Sequence, residues 1–334
     1  MELYLDSVNF KEIEAASDLG FLTGLTTTPT FMHREGITDI DAAIKRLAKK
    51  VPILQIEALG NNAEAIMDET YRLLDLGLDK TKTVFKIPIS LEGAKACRKL
   101  RDKGLLVNLH LIYTLQQAYI AMAAGANYIC PLVGRLQDQG HDALSMVEQC
   151  VNATIRYGYA SKIMFSSVRN SEHVRNAINI GVHACTMPWT IMKQLTQNDF
   201  TDTGKQQFEK HTYLLTTRVH EVMQTADTML SFDATVFDAL IQMTKSKLGA
   251  VIVLDAKGSI YRIFTDGDLR RYLRDNKNIG QMKLSELESN APFTIDAGAT
   301  LYEASAKFVE TKVDNIIVVE DQKPVGLIDV QDIL

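Results

Sequence analysis

The sequence predicts a (β/α)₈ TIM barrel, an α/β fold, followed by a tandem pair of α+β units. Two observations support this prediction. Eight short β-like runs alternate with amphipathic segments over roughly the first 190 residues, and an internal repeat occupies residues 228–334. Strands that alternate with helices pair in parallel through right-handed crossovers, so eight such units in this length favour a closed barrel.

The β-like runs and the helical patterns follow one another in strict order. The runs cover residues 3–6, 25–28, 53–59, 83–89, 105–111, 128–134, 162–168 and 184–188. The helical patterns cover residues 10–19, 38–50, 62–77, 92–102, 114–124, 141–157 and 171–180. The main alternative is a doubly wound open sheet, which begins with a glycine-rich turn. No GxGxxG motif follows the first run, so the barrel is favoured.

The rest of the chain divides into a helical stretch and the repeat. Residues 189–230 contain no convincing strand and favour helices, with a polar break at residues 196–204. We therefore expect a barrel domain with C-terminal helices over residues 1–220. The tandem units are expected over residues 221–334, as about 221–280 and 281–334.

The repeat consists of two segments that begin at Thr235 and Thr300. The first runs 30 residues to Thr265 and the second runs 29 residues to Asp329, so the two nearly superpose. Each contains a helix, a buried β run, a turn, a second β run and an acidic helix start. We expect the two units to pair about a pseudo-twofold axis and to bury one shared core.

The composition limits the partners. The 334 residues are 46% apolar and 23% charged, with a net charge of −5, so there is no basic field for nucleic acid. No apolar run is long enough for a transmembrane helix, and the N-terminus lacks the pattern of a secretory signal. The four cysteines show no CxxC spacing, which predicts reduced thiols in a cytoplasmic protein.

Lys86 lies inside the apolar, β-branched run TVFKIPIS at residues 83–90. Lysine is almost never fully buried unless it is paired or functional. Side chains alternate along a strand, so Lys86 shares a face with Val84 and Pro88. Lys82 is the competing lysine, but it precedes the strand in a polar turn and is expected to be solvated.

Other polar residues stand at the carboxyl ends of the β runs, where a barrel forms its active-site rim. They are Asp6, Gln55, Glu57, Asn108, His110, Arg135, Ser167 and Arg169. Any one of them can be explained as a buried, hydrogen-bonded group. As a set they favour a functional site, because a core does not cluster ionisable groups without compensation.

These residue types suit Schiff-base chemistry on a phosphorylated carbonyl compound. Desolvation favours the neutral form of a lysine, and a neutral amine attacks a ketone to give an iminium, an electron sink for the adjacent C–C bond. Asp6 and Glu57 can move the protons. The charge-assisted donors suited to a phosphate are Arg135, Ser167 and Arg169. A simpler interpretation is that Lys86 snorkels to the strand end or pairs with Asp6 or Glu57.

The ordered motifs resemble the transaldolase family, specifically its short, single-barrel branch that includes fructose-6-phosphate aldolase. The resemblance covers roughly residues 1–215 and rests on MELYLDS, GLTTTPT, VFKIPIS, LVNLHLIY, CPLVGR and SSVRN. It implies a Schiff base on Lys86, acid/base roles for Asp6 and Glu57, and substrate binding by Asn108. It implies further that a phosphate is held by Arg135, Ser167 and Arg169. The segment FEKH at 208–211 resembles a helix that these proteins pack against neighbouring subunits, so a homo-oligomer is expected.

Several departures from the family pattern concern the substrate pocket. Thr28 stands where the family has the asparagine of TTNP, and Cys130 stands where it has a serine. His110 replaces a threonine that positions the catalytic water, and Leu132 replaces an aromatic residue. His110 can then act as acid/base, orient water or substrate, contact a different donor, or only fill space. The departures leave the Schiff-base residues in place and make the sugar uncertain.

The tandem repeat resembles a CBS-domain pair, and residues 262–271, RIFTDGDLRR, are similar to those of D-arabinose-5-phosphate isomerases. In such repeats a T-x-x-D pattern, here Thr265 and Asp268, contacts the ribose or phosphate of a nucleotide. The matching positions in the second copy are Asp329 and Asp332. An aspartate there repels phosphate, so two equal sites are not expected. Helix capping explains Asp268 and Asp332 equally well.

The combined expectation is a cytoplasmic Schiff-base transaldolase or aldolase that acts on sugar phosphates. A nucleotide or nucleotide sugar at the CBS pair is expected to regulate it, and the fusion suggests sugar-precursor supply for surface polysaccharides. No cofactor, metal, nucleic acid or membrane is expected to take part. Two alternatives stay open: a non-catalytic sensor, and a metal-free sugar-phosphate isomerase in which Glu57 and His110 shuttle the proton.

Overall fold

The computed structural model describes residues 1–275, 279–288 and 291–333, and divides the chain into two compact units, Met1–Gln197 and Asn198–Leu334. The division falls before the boundary expected at residue 220, so the C-terminal helix after residue 198 groups with the second unit. Within the described residues, no helix is both long and apolar enough to cross a membrane.

The first unit is a closed barrel of eight parallel strands, as the alternating pattern predicts. Each strand pairs with the next, and β1 pairs with β8 to close the ring. The strands are β1 Glu2–Asp6, β2 Gly24–Thr26, β3 Leu54–Glu57, β4 Thr83–Pro88, β5 Leu106–Ile112, β6 Tyr128–Pro131, β7 Lys162–Phe165 and β8 Ala184–Met187.

Helices follow the strands on the outside of the barrel. They are α1 Phe10–Asp18, α2 Pro29–Arg34, α3 Ile40–Ala48, α4 Ala63–Asp75, α5 Leu91–Asp102, α6 Leu115–Ala123, α7 Val133–Asp138, α8 Ala143–Tyr157, α9 Ser171–Ile180 and α10 Trp189–Met192, which continues as a 3₁₀ turn, Lys193–Thr196. The short helices α2 and α7 were not among the predicted helical patterns. Both begin directly after a strand and shape the rim of the barrel.

Polar residues after the strands fix where the helices begin. Asn62, Ser90, Thr114 and Asn170 each accept a hydrogen bond from a backbone N–H in the first turn of α4, α5, α6 and α9. Each such cap contributes about 1 kcal/mol to its helix. Because every cap stands just past a carboxyl strand end, the loops that carry the polar residues are short and well defined.

Alternation along the strands divides the apolar residues into two layers. Outward-facing residues pack between the strands and the helices, with Phe85, Ile87 and Leu109 fully buried there. A second cluster, which contains Tyr4 and Val84, fills the inside of the barrel. The barrel is therefore a packed core, and reactive groups can be exposed only at its ends.

The second unit contains the repeat. Its helices are α11 Asp199–Thr216, α12 Val219–Val222, α13 Val236–Ser246, α14 Asp266–Asp275 and α15 Leu301–Thr311. Its strands are β9 Met229–Ser231, β10 Ala250–Leu254, β11 Ile260–Thr265, β12 Thr294–Asp296, β13 Asn315–Glu320 and β14 Lys323–Asp329. In the described residues they form two three-stranded sheets, β11-β10-β9 and β12-β13-β14.

The two copies share a core, as the repeat predicts. Ile252 of the first sheet and Ile317 and Leu327 of the second belong to one buried cluster. The copies also use the same cap: the hydroxyl of Thr235 accepts from the N–H of Asp238, and that of Thr300 accepts from the N–H of Glu303. Each copy therefore repeats the other in local chemistry as well as in element order.

Two details of the second unit differ from expectation. The prediction of a break between helices at residues 196–204 is wrong beyond Asn198, because α11 begins there. Asn198 caps this helix, and the acidic residues of its first turn are favourable at the positive end of the helix dipole. Each copy also gains a three-residue strand, β9 or β12, before its helix. Such strands are too short to show a periodic pattern.

Candidate active site

Lys86 lies near the carboxyl end of β4, inside the barrel, with only 4% of its surface exposed. Strand register sets Glu57 of β3 on one side of it and Asn108 of β5 on the other. The Nζ of Lys86 is 2.9 Å from Glu57 Oε1 and donates a hydrogen bond of 2.8 Å to the carbonyl of Thr27. Lys86 is thus both buried and paired, which makes its ammonium form compatible with the core.

Glu57 also reaches His110. Its second oxygen, Oε2, lies 2.8 Å from Nε2 of His110, although among the described residues neither atom has a partner in hydrogen-bond geometry. Register pairs His110 with Pro88, two residues beyond Lys86 on the same face of β4. One buried carboxylate therefore lies between a lysine and a histidine.

Burial and charge act in opposite directions on this group of three residues. Burial raises the pKa of Glu57, but Lys86 and His110 outweigh it and hold that pKa below its ordinary value. Burial lowers the pKa of His110, with Lys86 and Arg135 adding to the effect and Glu57 opposing it. At neutral pH the arrangement favours an ionised Glu57 beside a neutral His110.

Asp6 ends β1 and carries the second carboxylate of the site. The hydroxyl of Thr26 donates to Asp6 Oδ1 at 2.8 Å, and the hydroxyl of Thr186 lies 2.5 Å from that of Thr26. Burial raises the pKa of Asp6, while the positive charge of Lys86 and the Thr26 hydroxyl oppose the increase. Asp6 is therefore suited to exchange a proton closer to neutral pH than an ordinary aspartate.

Asn108 and Gln55, on the strands to either side of β4, form a buried amide pair. Asn108 Nδ2 donates to Gln55 Oε1 at 2.7 Å. This leaves Asn108 Oδ1 and Gln55 Nε2 buried and, among the described residues, without a hydrogen-bond partner. Both residues are fully buried, so the two amides are polar groups enclosed in the barrel interior.

Three threonines of the site were not assigned a role from the sequence. Thr26, Thr27 and Thr186 contact Asp6, Lys86 or one another, yet threonine is an ordinary β-strand residue. For Thr26 and Thr27 the available signal was the run of three threonines at residues 26–28, whereas Thr186 lies in β8 outside that run.

Gln55 was placed by alternation on the face of Glu57, but it was given no role of its own. The structure places it in contact with Asn108. That contact depends on the positions of β3 and β5 on either side of β4, which the sequence pattern alone does not specify.

The residues predicted to hold a phosphate collect after β6 and β7. Arg135 lies in α7, and its Nη1 is 3.3 Å from the hydroxyl of Tyr113. Arg169 pairs with Asp138 at 3.0 Å. A Cβ on Gly134 would lie 2.0 Å from the carbonyl of Ser167 and 3.0 Å from the Arg169 side chain, so these two segments touch closely.

Ser167, Thr28 and Cys130 complete the predicted set in the barrel. Ser167 has a positive φ of 60°, a strained value that turns the chain sharply at the rim. Thr28 precedes α2, and its side chain makes no capping hydrogen bond. Cys130 is paired with His110 in the strand register, and burial raises the pKa of its thiol to about 11, so it stays protonated.

The predicted nucleotide residues of the second unit are engaged in capping contacts. The backbone N–H of Thr265 donates to Asp268 Oδ2 at 3.0 Å, and that of Asp329 donates to Asp332 Oδ2 at 2.9 Å. Asp268 also contacts Arg271. The shared geometry accounts for both aspartates structurally, and a nucleotide contact by these residues stays a prediction.

One of the buried positions at which the two copies differ is occupied by an arginine in the first copy. Arg262 of β11 donates to the carbonyl of Glu288 at 2.7 Å and lies 3.5 Å from Asp268 Oδ2. The matching residue in β14 is Gly326, where a Cβ would lie 2.5 Å from the carbonyl of Gln224. In one copy an arginine side chain holds the adjoining segment, and in the other the backbone approaches directly.

A closed (β/α)₈ barrel with its ionisable residues at the carboxyl strand ends is the arrangement of a barrel enzyme. The model of the transaldolase/fructose-6-phosphate aldolase family matches residues 3–245, and the chain belongs to that family. The CBS-domain model matches residues 219–275 and 284–334, which confirms the tandem CBS pair. The specific likeness to D-arabinose-5-phosphate isomerases stays a prediction.

Several curated relatives cover the barrel and carry the name "Probable transaldolase". The one from Coprothermobacter proteolyticus is 36% identical over 208 residues, which is 62% of this chain and 94% of the relative. The one from Geobacter sulfurreducens is 36% identical over 212 residues, or 63% of this chain and 97% of the relative. Among solved structures, the CBS domain of a CBS-domain-containing membrane protein from Sphaerobacter thermophilus shares 16% identity, with a TM-score of 0.34, over 40% of this chain and 95% of that chain.

Proposed function

We propose that this protein is a Schiff-base transaldolase or aldolase that acts on ketose phosphates, with Lys86 as the nucleophile. The observation that supports this most directly is a lysine buried at a barrel strand end, 2.9 Å from a carboxylate that can accept its proton. An amine becomes nucleophilic only after it loses that proton. Glu57 is the group in contact with it.

The reaction begins when the neutral amine of Lys86 adds to the ketone carbon and the carbonyl oxygen takes up a proton. Loss of that oxygen as water gives the iminium. The next step concerns the two carbons that follow the iminium carbon, the α and β carbons. A base removes the proton of the hydroxyl group on the β carbon, and the bond between the α and β carbons breaks. The electrons of that bond enter the iminium to form an enamine, and the β carbon leaves as an aldehyde. Asp6 and Glu57 are the acid/base pair of this proposal, because both lie close enough to Lys86 to interact with its charge.

The remaining residues of the rim bind and orient the substrate. We assign the phosphate to Arg135, Ser167 and Arg169, because guanidinium groups match phosphate geometry. We assign a substrate hydroxyl to Asn108, whose buried carbonyl oxygen lacks a hydrogen-bond partner among the described residues, and we propose that His110 orients substrate or water. Thr28 and Cys130 complete the wall of the donor pocket in this proposal.

Borohydride trapping tests the proposal. A panel of ketose and aldose phosphates is incubated with the protein, reduced, and examined by intact-mass measurement and peptide mapping. We expect a stable adduct on Lys86 whose mass gain equals the ketone, or its ketone fragment, less one oxygen atom. Lys86→Met should abolish the adduct, whereas Lys82→Met, at an exposed lysine before the same strand, should retain it. An adduct that survives in the Lys86 variant contradicts the assignment.

A second candidate function is a metal-free sugar-phosphate isomerase. The 2.8 Å separation between Glu57 Oε2 and His110 Nε2 supports this candidate, because it places two proton-exchanging groups side by side. In that reaction one group removes a proton next to the carbonyl and returns it to the neighbouring carbon, with Lys86 acting only by its charge. Turnover without a reduced adduct would support this candidate. Neither turnover nor adduct would support a non-catalytic sensor.

We also propose that the CBS pair binds a nucleotide or nucleotide sugar that regulates the barrel in sugar-precursor supply. Calorimetry with adenine and cytidine nucleotides and with nucleotide sugars is the test, and no heat with any of them contradicts it. Thr265→Val should weaken binding, whereas Thr235→Val removes an equivalent capping hydroxyl at α13 and should not. The proposal includes a cytoplasmic homo-oligomer, which light scattering would show as a multiple of the chain mass.

A further inference from the structure

The turn after β7 carries two of the residues that we assign to the phosphate, Ser167 and Arg169. Ser167 has a φ of 60°, a left-handed value that a residue with a side chain keeps only where its surroundings hold it. The hydroxyl of Ser166 donates to the carbonyl of Pro131, in β6, at 2.7 Å. A Cβ on Gly134, in α7, would lie 2.0 Å from the carbonyl of Ser167. These contacts fix the beginning of the strained turn.

His173, in the first turn of α9, supports the end of the same turn. Its Nδ1 accepts a hydrogen bond of 3.2 Å from the backbone N–H of Arg169. Only 7% of His173 is exposed, and its ring lies edge to face against Phe165, with 6.1 Å between the ring centroids. Packing of this kind restricts the orientation of the imidazole, so its acceptor atom has a defined position.

The contact with Arg169 is separate from the capping of α9. Asn170 is the N-cap residue, and its Oδ1 accepts the backbone N–H of His173 at 3.0 Å. Arg169 precedes the cap and lies outside the helix. The imidazole therefore acts on the backbone of the turn, and the helix start is already supplied with its own acceptor.

The charges around His173 are compatible with an acceptor at Nδ1. A histidine accepts a hydrogen bond only when it is neutral, because the protonated ring donates from both nitrogens. Burial lowers the pKa of His173 and the positive charge of Arg169 lowers it further, while Asp138 of α7 and Glu172 of α9 oppose the decrease. Asp138 is also paired with the Arg169 guanidinium at 3.0 Å. At neutral pH the ring is therefore neutral, with its proton on Nε2 and Nδ1 able to accept.

We infer that His173 is a positioning residue of the phosphate site. By accepting the N–H of Arg169 it fixes the backbone from which Ser167 and Arg169 contact the phosphate, and it does not touch the substrate itself. This inference rests on the proposed function, which assigns the phosphate to those two residues.

Two substitutions of matched shape test the inference. In His173→Asn, the side-chain oxygen can take the place of Nδ1 and accept the N–H of Arg169, whereas His173→Leu fills a similar space without an acceptor. A ketohexose 6-phosphate and the same ketohexose without its phosphate are each trapped on Lys86 with borohydride over a range of concentrations. Comparison of the two ketoses separates an effect on the phosphate from an effect on the barrel as a whole.

We expect His173→Leu to raise the half-maximal trapping concentration of the phosphorylated ketose about tenfold. This is the loss expected when one or two hydrogen bonds to a charged group are weakened. The half-maximal concentration of the unphosphorylated ketose should not change, which also shows that the variant is folded. His173→Asn should behave like the wild type with both ketoses.

His183→Leu is the matched control. The Nδ1 of His183 also accepts a backbone N–H, that of Ile163, at 3.1 Å. This contact lies directly before β8, at the amino end of the barrel strands and away from the turn after β7. Loss of the same kind of hydrogen bond there should leave both half-maximal concentrations unchanged. Arg169→Met removes the guanidinium itself and should raise the value for the phosphorylated ketose at least as much as His173→Leu does.

The outcomes separate this inference from the function on which it rests. Equal effects of His173→Leu on both ketoses overturn the inference, and so does the absence of any effect on the phosphorylated ketose. A His173→Asn variant as impaired as His173→Leu overturns it as well, because the acceptor is then not what matters. In these cases the phosphate assignment stands if Arg169→Met weakens trapping of the phosphorylated ketose alone. If Arg169→Met has no such effect, the assignment fails and the inference fails with it, and the absence of an adduct with every ketose phosphate tested overturns the whole proposed function.

Discussion

Replacement of Glu57 by glutamine tests the pairing at the centre of the barrel. The amide would keep the size of the side chain but would leave the Lys86 ammonium without its carboxylate. Both partners are deeply buried, at 5% and 6% exposure, so water cannot replace the lost charge. His110 would lose its acidic neighbour in the same change.

The expected loss follows from this burial. Removal of one partner from a buried ion pair costs about 3–5 kcal/mol, because an uncompensated charge stays in the core. The carbonyl of Thr27 still accepts a hydrogen bond from Lys86 Nζ in the variant, so we expect a loss of stability near the lower end of this range. Because about 1.4 kcal/mol corresponds to a tenfold change in an equilibrium constant, the folding equilibrium constant should fall by a factor of hundreds or more.

Denaturant unfolding followed by tryptophan fluorescence measures this loss in the barrel. The chain has one tryptophan, Trp189, and it lies directly after β8, so its signal reports the first unit. Glu14→Gln is the control, because Glu14 also lies 2.9 Å from a lysine, Lys50, but at an exposed surface. Combining Glu57→Gln with Lys86→Met should recover most of the stability. If Glu57→Gln shifts the midpoint no more than Glu14→Gln does, the reasoning about the buried pair is refuted.

Three further predictions concern other parts of the molecule. Because burial lowers the pKa of His110 below its ordinary value, protonation of His110 should depress kcat/KM of the wild type only at acid pH, and His110→Gln should shift the acid limb of the pH profile. Gly134→Ala places a Cβ 2.0 Å from the Ser167 carbonyl, so KM for phosphorylated substrates should rise roughly 10- to 100-fold, with circular dichroism to verify folding. Arg262→Met should leave the Glu288 carbonyl and Asp268 without their contacts to Arg262 and destabilise the second unit by about 1–3 kcal/mol. Calorimetry should show a lower unfolding temperature for the second unit, while the unfolding midpoint reported by Trp189 fluorescence is unchanged.

The barrel and the repeat were predictable because each repeats one pattern many times. Eight alternations of strand and helix favour one closed sheet, and two copies of the same segment favour a shared core. The elements that the sequence did not indicate are short: α2 and α7 have six residues each, and β9 and β12 have three. A helix needs at least two turns before its apolar spacing is visible, so rim helices of this length escape pattern analysis.

The sequence predicts the residue types of the candidate site but not how they pair. A lysine, two carboxylates and two arginines at strand ends already indicate carbonyl and phosphate chemistry. Strand register then decides that Glu57 stands beside Lys86, and that Pro88 rather than Lys86 stands opposite His110. Register depends on how every strand of the ring is staggered, which no single stretch of sequence determines.

This stagger gives Glu57 a part in each proposed function of the barrel. One of its oxygens is 2.9 Å from Lys86, and the other is 2.8 Å from His110. Glu57 is therefore the proton partner of Lys86 in the Schiff-base proposal and the partner of His110 in the isomerase proposal. Because one carboxylate lies beside both groups, a change of charge on His110 alters the proton affinity of Glu57, the group that must take the proton from Lys86 before the amine attacks a carbonyl.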